Sequence, residues 1–314
     1  MSMRSLGTLV LFVSLAVVMA AVGAIMWPGT AAAEDPCAVK HPLMPPNKEF
    51  SGQCPNCGMM RPVWARTWKS FENSQGKFSV CSFHCLADMA IKSGEDPKDV
   101  TVALFLEPKK MITGKEAFFV VGSKVKGTMT MKSKVALASR EKAEAFAKAC
   151  GGKVVALNDA MKMAKAAVAK ENKVIAMMRL KKGAIVEPVD NKDSCSVCSM
   201  YPARYPKNKC QIVAKDKKVY HFCSTKCMFK FLGSPDKFAK GDFKPAMIWV
   251  SDYPTGASIS AKTAYYVVGS KAQGPMGVEA FSFDKKRAAQ DFSGKQGGKV
   301  LVFSKVKNAK IDKQ

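Results

Sequence analysis

Histidine is scarce in this chain, with three residues in 314. Imidazole metal sites and His-based acid–base chemistry therefore have little to draw on. Negative charge is also thin. Acidic residues number 25 against 50 basic ones, which leaves a formal charge of +25. Arginine supplies only seven of those 50. Base readout on nucleic acid favours arginine forks, so the lysines read as a solvated coat and no nucleic-acid partner is expected. There is no glycine-rich phosphate loop and no His–carboxylate pair beside a nucleophile, so the chain is not read as an enzyme. With 47% apolar and 24% charged residues the chain is neither collagenous nor wholly disordered. What it has in quantity is sulfur, as 11 Cys and 19 Met.

The N-terminus points to export. Residues 1–33 carry one charge, Arg4, followed by a mostly apolar run from Leu6 to Trp27 and then Ala31-Ala32-Ala33. A basic start, an apolar stretch and small residues at a cleavage site make a signal peptide. The run is also near the length that spans a bilayer, so residues 1–33 read as a signal peptide or an N-terminal membrane anchor. No Cys directly follows the run, so a lipid-anchored Cys is not expected. Either way the expected location is periplasmic or the outer face of the cytoplasmic membrane, where thiols can oxidise.

The rest of the chain repeats itself. Cys54-Pro-Asn-Cys57-Gly-Met59 recurs as Cys195-Ser-Val-Cys198-Ser-Met200, and Val80-Cys81-Ser-Phe-His-Cys85 as Phe222-Cys223-Ser-Thr-Lys-Cys227. Phe118-Phe119-Val-Val-Gly-Ser recurs as Tyr265-Tyr266-Val-Val-Gly-Ser, Gly-Thr-Met129 as Gly-Pro-Met276, and both copies close on Gly-Gly-Lys-Val. Blocks in the same order at offsets of 141 to 147 residues indicate tandem duplication. The expected organisation is one metal-binding module over 46–158, a helical linker over 159–187 and a second module over 188–304. Within a copy, alternating stretches such as Val63–Trp68 and Ala117–Val121 predict strands. Ser82, Ser224 and Ser139 stand where helix N-caps belong. The predicted fold class is α+β, each module built of strand-strand-helix-strand halves. The Ala/Lys/Met run from Asp159 predicts a short linker helix, with Met161 and Met163 as adaptable apolar contacts.

Each copy carries Cys-x-x-Cys, a gap of 23 or 24 residues, then Cys-x-x-x-Cys. The quartets are Cys54, Cys57, Cys81, Cys85 and Cys195, Cys198, Cys223, Cys227. This spacing suits one tetrahedral metal per copy. Met59 and Met200 lie two residues beyond Cys57 and Cys198. If these segments are strands, thioether and thiolate share a face, a pairing that suits copper(I). Met129 and Met276 recur in matching glycine-containing loops and are further candidates. Cys85 and Cys227 fall in the first turn of a helix, where a thiolate is stabilised. Three other readings stay open: a structural zinc clip, two disulfides per copy, or a redox Cys-x-x-Cys. His84 and His221 are not matched between copies, although His221 would share a strand face with Cys223. Cys37, Cys150 and Cys210 have no counterparts and read as incidental.

At these residues the sequence resembles the NosL family, the accessory proteins of nitrous oxide reductase maturation. The resemblance rests on Cys57-Gly58-Met59 after Cys54, Phe222-Cys223-Ser224-Thr225, Tyr265-Tyr266-Val-Val-Gly-Ser, Gly274-Pro275-Met276-Gly277, the Phe281/Phe283 segment and the closing Gly-Gly-Lys-Val-Leu301. It implies an exported mixed α/β protein that binds copper(I) and passes it to a copper-accepting enzyme or its maturation complex. It implies Cys57 with Met59, and Cys198 with Met200, as ligands, with Met129 and Met276 beside them. Two departures stand out: the duplication, and Ser199 where the family pattern has Gly.

Overall fold

Two serine caps set the helices that carry the last cysteine of each quartet, Cys85 and Cys227. Ser82 Oγ accepts from Cys85 N–H (3.3 Å) and Ser224 Oγ from Cys227 N–H (3.4 Å). The extended backbone at both serines turns into a helix whose first donors are thereby satisfied. A computed structural model describes residues 50–239 and 241–308, together with 35, 37, 38, 44, 45 and 311. The signal-peptide or anchor segment lies outside the described residues.

The first copy runs α1 (Arg61–Trp64), β1 (Lys69–Asn73), β2 (Gly76–Val80), α2 (Phe83–Ser93), β3 (Lys98–Ala103), β4 (Met111–Thr113), β5 (Phe118–Val121), β6 (Lys134–Leu137), α3 (Arg140–Cys150), β7 (Lys153–Val155) and α4 (Leu157–Lys181). The second runs β8 (Cys210–Ala214), β9 (Val219–Phe222), α5 (Thr225–Gly233), β10 (Pro245–Ser251), β11 (Ser258–Ser260), β12 (Tyr265–Val268), β13 (Phe281–Phe283), α6 (Lys286–Gln296), β14 (Lys299–Val302) and α7 (Phe303–Asn308). Each copy builds a four-stranded sheet, ordered β2-β1-β3-β4 and β9-β8-β10-β11, and a three-stranded sheet, ordered β6-β5-β7 and β13-β12-β14. The matched strand orders show the duplication in three dimensions, and the fold is α+β as expected.

Two local expectations change. Val63–Trp68 is not a strand but α1 followed by a 3-10 turn over Ala65–Thr67. Pro62 in the first turn fixes a helical φ and lacks an N–H to offer a sheet. The run after Asp159 is not short. It forms a helix of 25 residues that starts at Leu157 and ends at Lys181. Its buried residues Ala160, Met161, Ala164, Val168 and Glu171 recur at helical spacing. All but Glu171 belong to the first copy's core, beside Leu86 and Phe119. Met161 is thus an apolar contact, while Met163 is largely exposed.

The two copies pack into one compact unit spanning 35–314. Lys92 of α2 binds Asp88 of its own helix (2.8 Å) and Asp284 of the second copy (2.9 Å). Ser260 Oγ donates to Pro55 O (2.7 Å), and Gln53 Nε2 to Ala246 O (2.9 Å). The far end of α4 also reaches the second copy, with the Arg179 guanidinium 4.7 Å over the Trp249 ring. Cys37 and Cys150, read as incidental in sequence, form a disulfide that pins the N-terminal segment to the end of α3.

Candidate metal centres

Both Cys-x-x-Cys segments fold as tight turns rather than strands, so the shared strand face expected for Cys57 and Met59 does not form. Cys54 N–H donates to Met59 O (2.8 Å) and Gly58 N–H to Cys54 O (2.8 Å). The second copy repeats this with Cys195 to Met200 (2.7 Å) and Ser199 to Cys195 (3.0 Å). The backbone must turn with positive φ at the position after the second cysteine, +81° at Gly58 and +62° at Ser199. A Cβ at Gly58 would stand 2.0 Å from the Met247 sulfur, which the second copy seats on this turn. Glycine is therefore required in the first copy, while Ser199 accepts the strained φ in the second.

These turns bring Cys54 and Cys57 against Cys81, at the end of β2, and Cys85, in the first turn of α2. The four sulfurs lie within 4.8 Å of one another, and so do those of Cys195, Cys198, Cys223 and Cys227. Cys57 and Cys81 sulfurs are 3.4 Å apart and Cys81 and Cys85 3.7 Å; in the second copy Cys198 and Cys223 are 3.4 Å apart and Cys223 and Cys227 3.8 Å. An ideal tetrahedron with metal–sulfur bonds of about 2.3 Å has edges of about 3.8 Å. The donor set and its spacing fit a thiophilic metal ion. All eight are free thiols, not disulfides. In each quartet three cysteines are buried and one, Cys57 or Cys198, is half-buried, so each cluster has one sulfur near the surface.

The thiols perturb one another. Burial opposes ionisation of Cys54, yet the thiols of Cys57, Cys81 and Cys85 around it hold it well below the usual thiol range. Burial and the same neighbours push Cys81 well above that range. In the second copy Cys223 and Cys227 hold Cys195 far down, and Cys195 and Cys227 push Cys223 far up. Cys54 opposes ionisation of Cys85, yet Cys57 and Cys81 help hold it down. Each cluster therefore contains at least one thiol that ionises more readily than usual beside others held protonated.

The four methionines pack against the two cores that contain the quartets. Met59 and Met129 are half-buried against the core that contains the first quartet, and Met200 and Met276 against the core that contains the second. Neither histidine joins a quartet. His84 engages both ring nitrogens elsewhere, Nδ1 with Glu171 Oε2 (2.7 Å) and Nε2 with Asn172 Oδ1 (3.1 Å). Glu171 also accepts from Thr130 Oγ1 and Met131 N–H, which ties α4 to the loop carrying Met129. Asn56, inside the first Cys-x-x-Cys, donates to Asp88 (2.9 Å), and Asp88 in turn holds Lys92. This polar chain runs from the metal turn to the second copy.

The sequence profile of the NosL family matches residues 51–164 and 186–311, one segment per copy. The chain belongs to the NosL family. A NosL relative, the copper-binding lipoprotein NosL of Stutzerimonas stutzeri, is 34% identical over 134 residues, 40% of this chain and 68% of the relative. A solved NosL structure, the copper chaperone of Shewanella denitrificans, is 30% identical, with 38% of this chain and 93% of that one covered and a TM-score of 0.33. Among the described residues of this NosL member, no helix is long and apolar enough to cross a membrane.

Sequence reasoning missed two residues beside the clusters. Lys69 of β1 pairs with Val80 and Val102, while Cys210 of β8 pairs with Phe222 and Val250, so the two occupy the same place in their sheets. Burial pulls the Lys69 ammonium down to about 7, with Cys81 and Cys85 acting the other way. Burial pushes the Cys210 thiol up. The signal that could have found them is the repeat itself, since both precede the paired cysteine by a similar interval, Lys69 to Cys81 and Cys210 to Cys223.

Proposed function

We propose that the chain is an exported accessory protein that holds copper(I) on Cys and Met ligands and hands it to a copper-accepting enzyme or maturation complex of the nitrous oxide reductase type. The observation that carries this reading is the twice-built cluster of four free thiols with one sulfur near the surface. The relatives named as a copper-binding lipoprotein and a copper chaperone support it. Copper(I) is soft and accepts two, three or four sulfur ligands, so it can pass between sites by gaining a donor before losing one. The proposed ligands are Cys54, Cys57, Cys81 and Cys85 with Met59 and Met129, and Cys195, Cys198, Cys223 and Cys227 with Met200 and Met276. Cys57 and Cys198 are where an incoming donor gains access. The apolar segment before residue 34 delivers the protein to the periplasm or tethers it to the outer face of the cytoplasmic membrane.

The near-tetrahedral sulfur spacing also favours a second reading, structural zinc. Anaerobic copper(I) titration of the purified chain, with metal analysis beforehand, separates the two. The expected result is uptake of two copper(I) ions per chain, reversible by a copper(I) chelator. Zinc present at two per chain that copper(I) does not displace would overturn the proposal.

A further inference from the structure

The two clusters share ligands but not surroundings. In the first copy Lys69 is 2% exposed. Its Nζ donates to Thr67 O (2.9 Å) and lies 4.4 Å above the Phe83 ring. Thr67 Oγ1 in turn donates to Cys81 O (2.7 Å), so the carbonyl that holds the ammonium belongs to a residue anchored on a cluster cysteine. A second buried lysine, Lys134, stands at the start of β6 and is close enough to Lys69 to repel it. The second copy replaces every part of this arrangement. Cys210 takes the place of Lys69, and its thiol donates to Asn208 O (3.2 Å). Thr225, the first residue after the cap Ser224, takes the place of Phe83, the first after Ser82. Ala280 stands where Lys134 does, one residue before the paired strand, and is preceded by the buried Glu279. Lys226 is only partly buried and donates to Met276 O (3.3 Å).

We propose that these replacements make the two centres unequal, the first a holding site for a soft monovalent cation and the second the site that releases it. The inference rests on the copper(I) reading above. Each thiol that binds copper(I) gives one proton to solvent, and the metal keeps its oxidation state. A cluster that loses two or more protons and gains one positive charge becomes more negative. A buried ammonium beside it stabilises the loaded state, and the low local dielectric strengthens that effect. Among the described residues the second cluster has no buried ammonium at the corresponding place: Cys210 is uncharged as a thiol, Glu279 brings at most a negative charge, and Lys226 keeps part of its surface in water, where its charge is screened.

One equivalent of copper(I), added anaerobically to the full chain, tests the order of loading. Differential alkylation read by mass spectrometry should find Cys54, Cys57, Cys81 and Cys85 protected while Cys195, Cys198, Cys223 and Cys227 react. Competition with a chromogenic copper(I) chelator should resolve two steps separated by about tenfold or more, the scale of one charge pair at partial burial. Lys69→Met should weaken the tighter step toward the weaker one, and Lys69→Arg should restore it. Cys210→Ser should leave the weaker step unchanged. Equal protection of both quartets, protection of the second first, or a Lys69→Met chain that folds and keeps both steps would overturn the proposal. So would a Cys210→Ser chain with a weakened second step, because Cys210 would then be a ligand. Two ions bound with one shared affinity would leave the copper(I) reading standing while this inference fails; no uptake at all would end both.

Discussion

Glu279 is a buried carboxyl whose Oε1 finds no hydrogen-bond partner among the described residues, and a Cβ on Gly274 would collide with it. Burial pushes it up to about 7 from an ordinary 4.5. The native state therefore binds its proton more readily than the unfolded chain does. The associated stability is full below pH 4.5 and is lost as pH rises through about 7. Glu279→Gln should leave stability nearly unchanged at pH 4.5 and raise it at pH 8 by up to about 3 kcal/mol. Urea unfolding of both chains at the two pH values reads the difference; a constant offset would refute it. Gly58 is the other residue whose identity the structure explains. Gly58→Ala should destabilise by about 1–3 kcal/mol through positive φ and overlap with Met247. Ser199→Gly at the matching turn should be neutral or slightly stabilising, because it relieves a strained φ. Thermal melts of the two variants make the comparison.

Helix α2 is the element on which the first centre depends. Its cap and first turn place Cys85, its middle places Asp88, and its last turn places Lys92. Lys92 is held between Asp88 and Asp284, which raise its affinity for a proton despite burial. Removing it leaves two carboxylates without their shared cation, Asp88 deeply buried and Asp284 partly so. Lys92→Met should therefore cost about 3–5 kcal/mol, as for a buried pair broken on one side. It should also loosen the contact between copies, read as faster amide exchange at the ends of α2 and α6. Ser82→Ala should cost about 1 kcal/mol. Helix α4 shows how far an element's length can escape its local pattern. Its propensity predicts a helix, but its 25 residues persist because one stripe packs on the first core and Arg179 reaches Trp249.

At the scale of the whole molecule, the Cys37–Cys150 disulfide closes a sequence separation of 113 residues around the first copy. Chain-entropy arguments put such a closure at about 2–5 kcal/mol. The Cys37→Ser/Cys150→Ser chain should melt lower by that amount yet take up the same quantity of copper(I), since neither residue belongs to a quartet. Loss of metal uptake would show that the N-terminal segment shapes the first centre. The contacts between copies make the protein more than two beads on a string. Asn56, Asp88, Lys92 and Asp284 form a continuous polar chain from the first metal turn into the second copy.

The duplication, the α+β class and the two cysteine quartets were legible from residue order alone, because repeats, caps and ligand spacing are local patterns. Ser82 and Ser224 announce their helices, and the Cys-x-x-Cys and Cys-x-x-x-Cys spacing announces a shared ligand set. The strand expected at Cys57 to Met59, however, gave way to a turn with positive φ at Gly58, as at Ser199 in the second copy. The sequence did not reveal the Cys37–Cys150 bond, the length of α4, the engagement of His84 by Glu171 or the seat of Met247 on Gly58. Each of these joins residues far apart in the chain, and only packing brings them within reach. The exchange of Lys69 for Cys210 belongs to the same class. The letters were visible, but a charge acquires its meaning from burial and from the thiols beside it, and those are properties of the folded molecule.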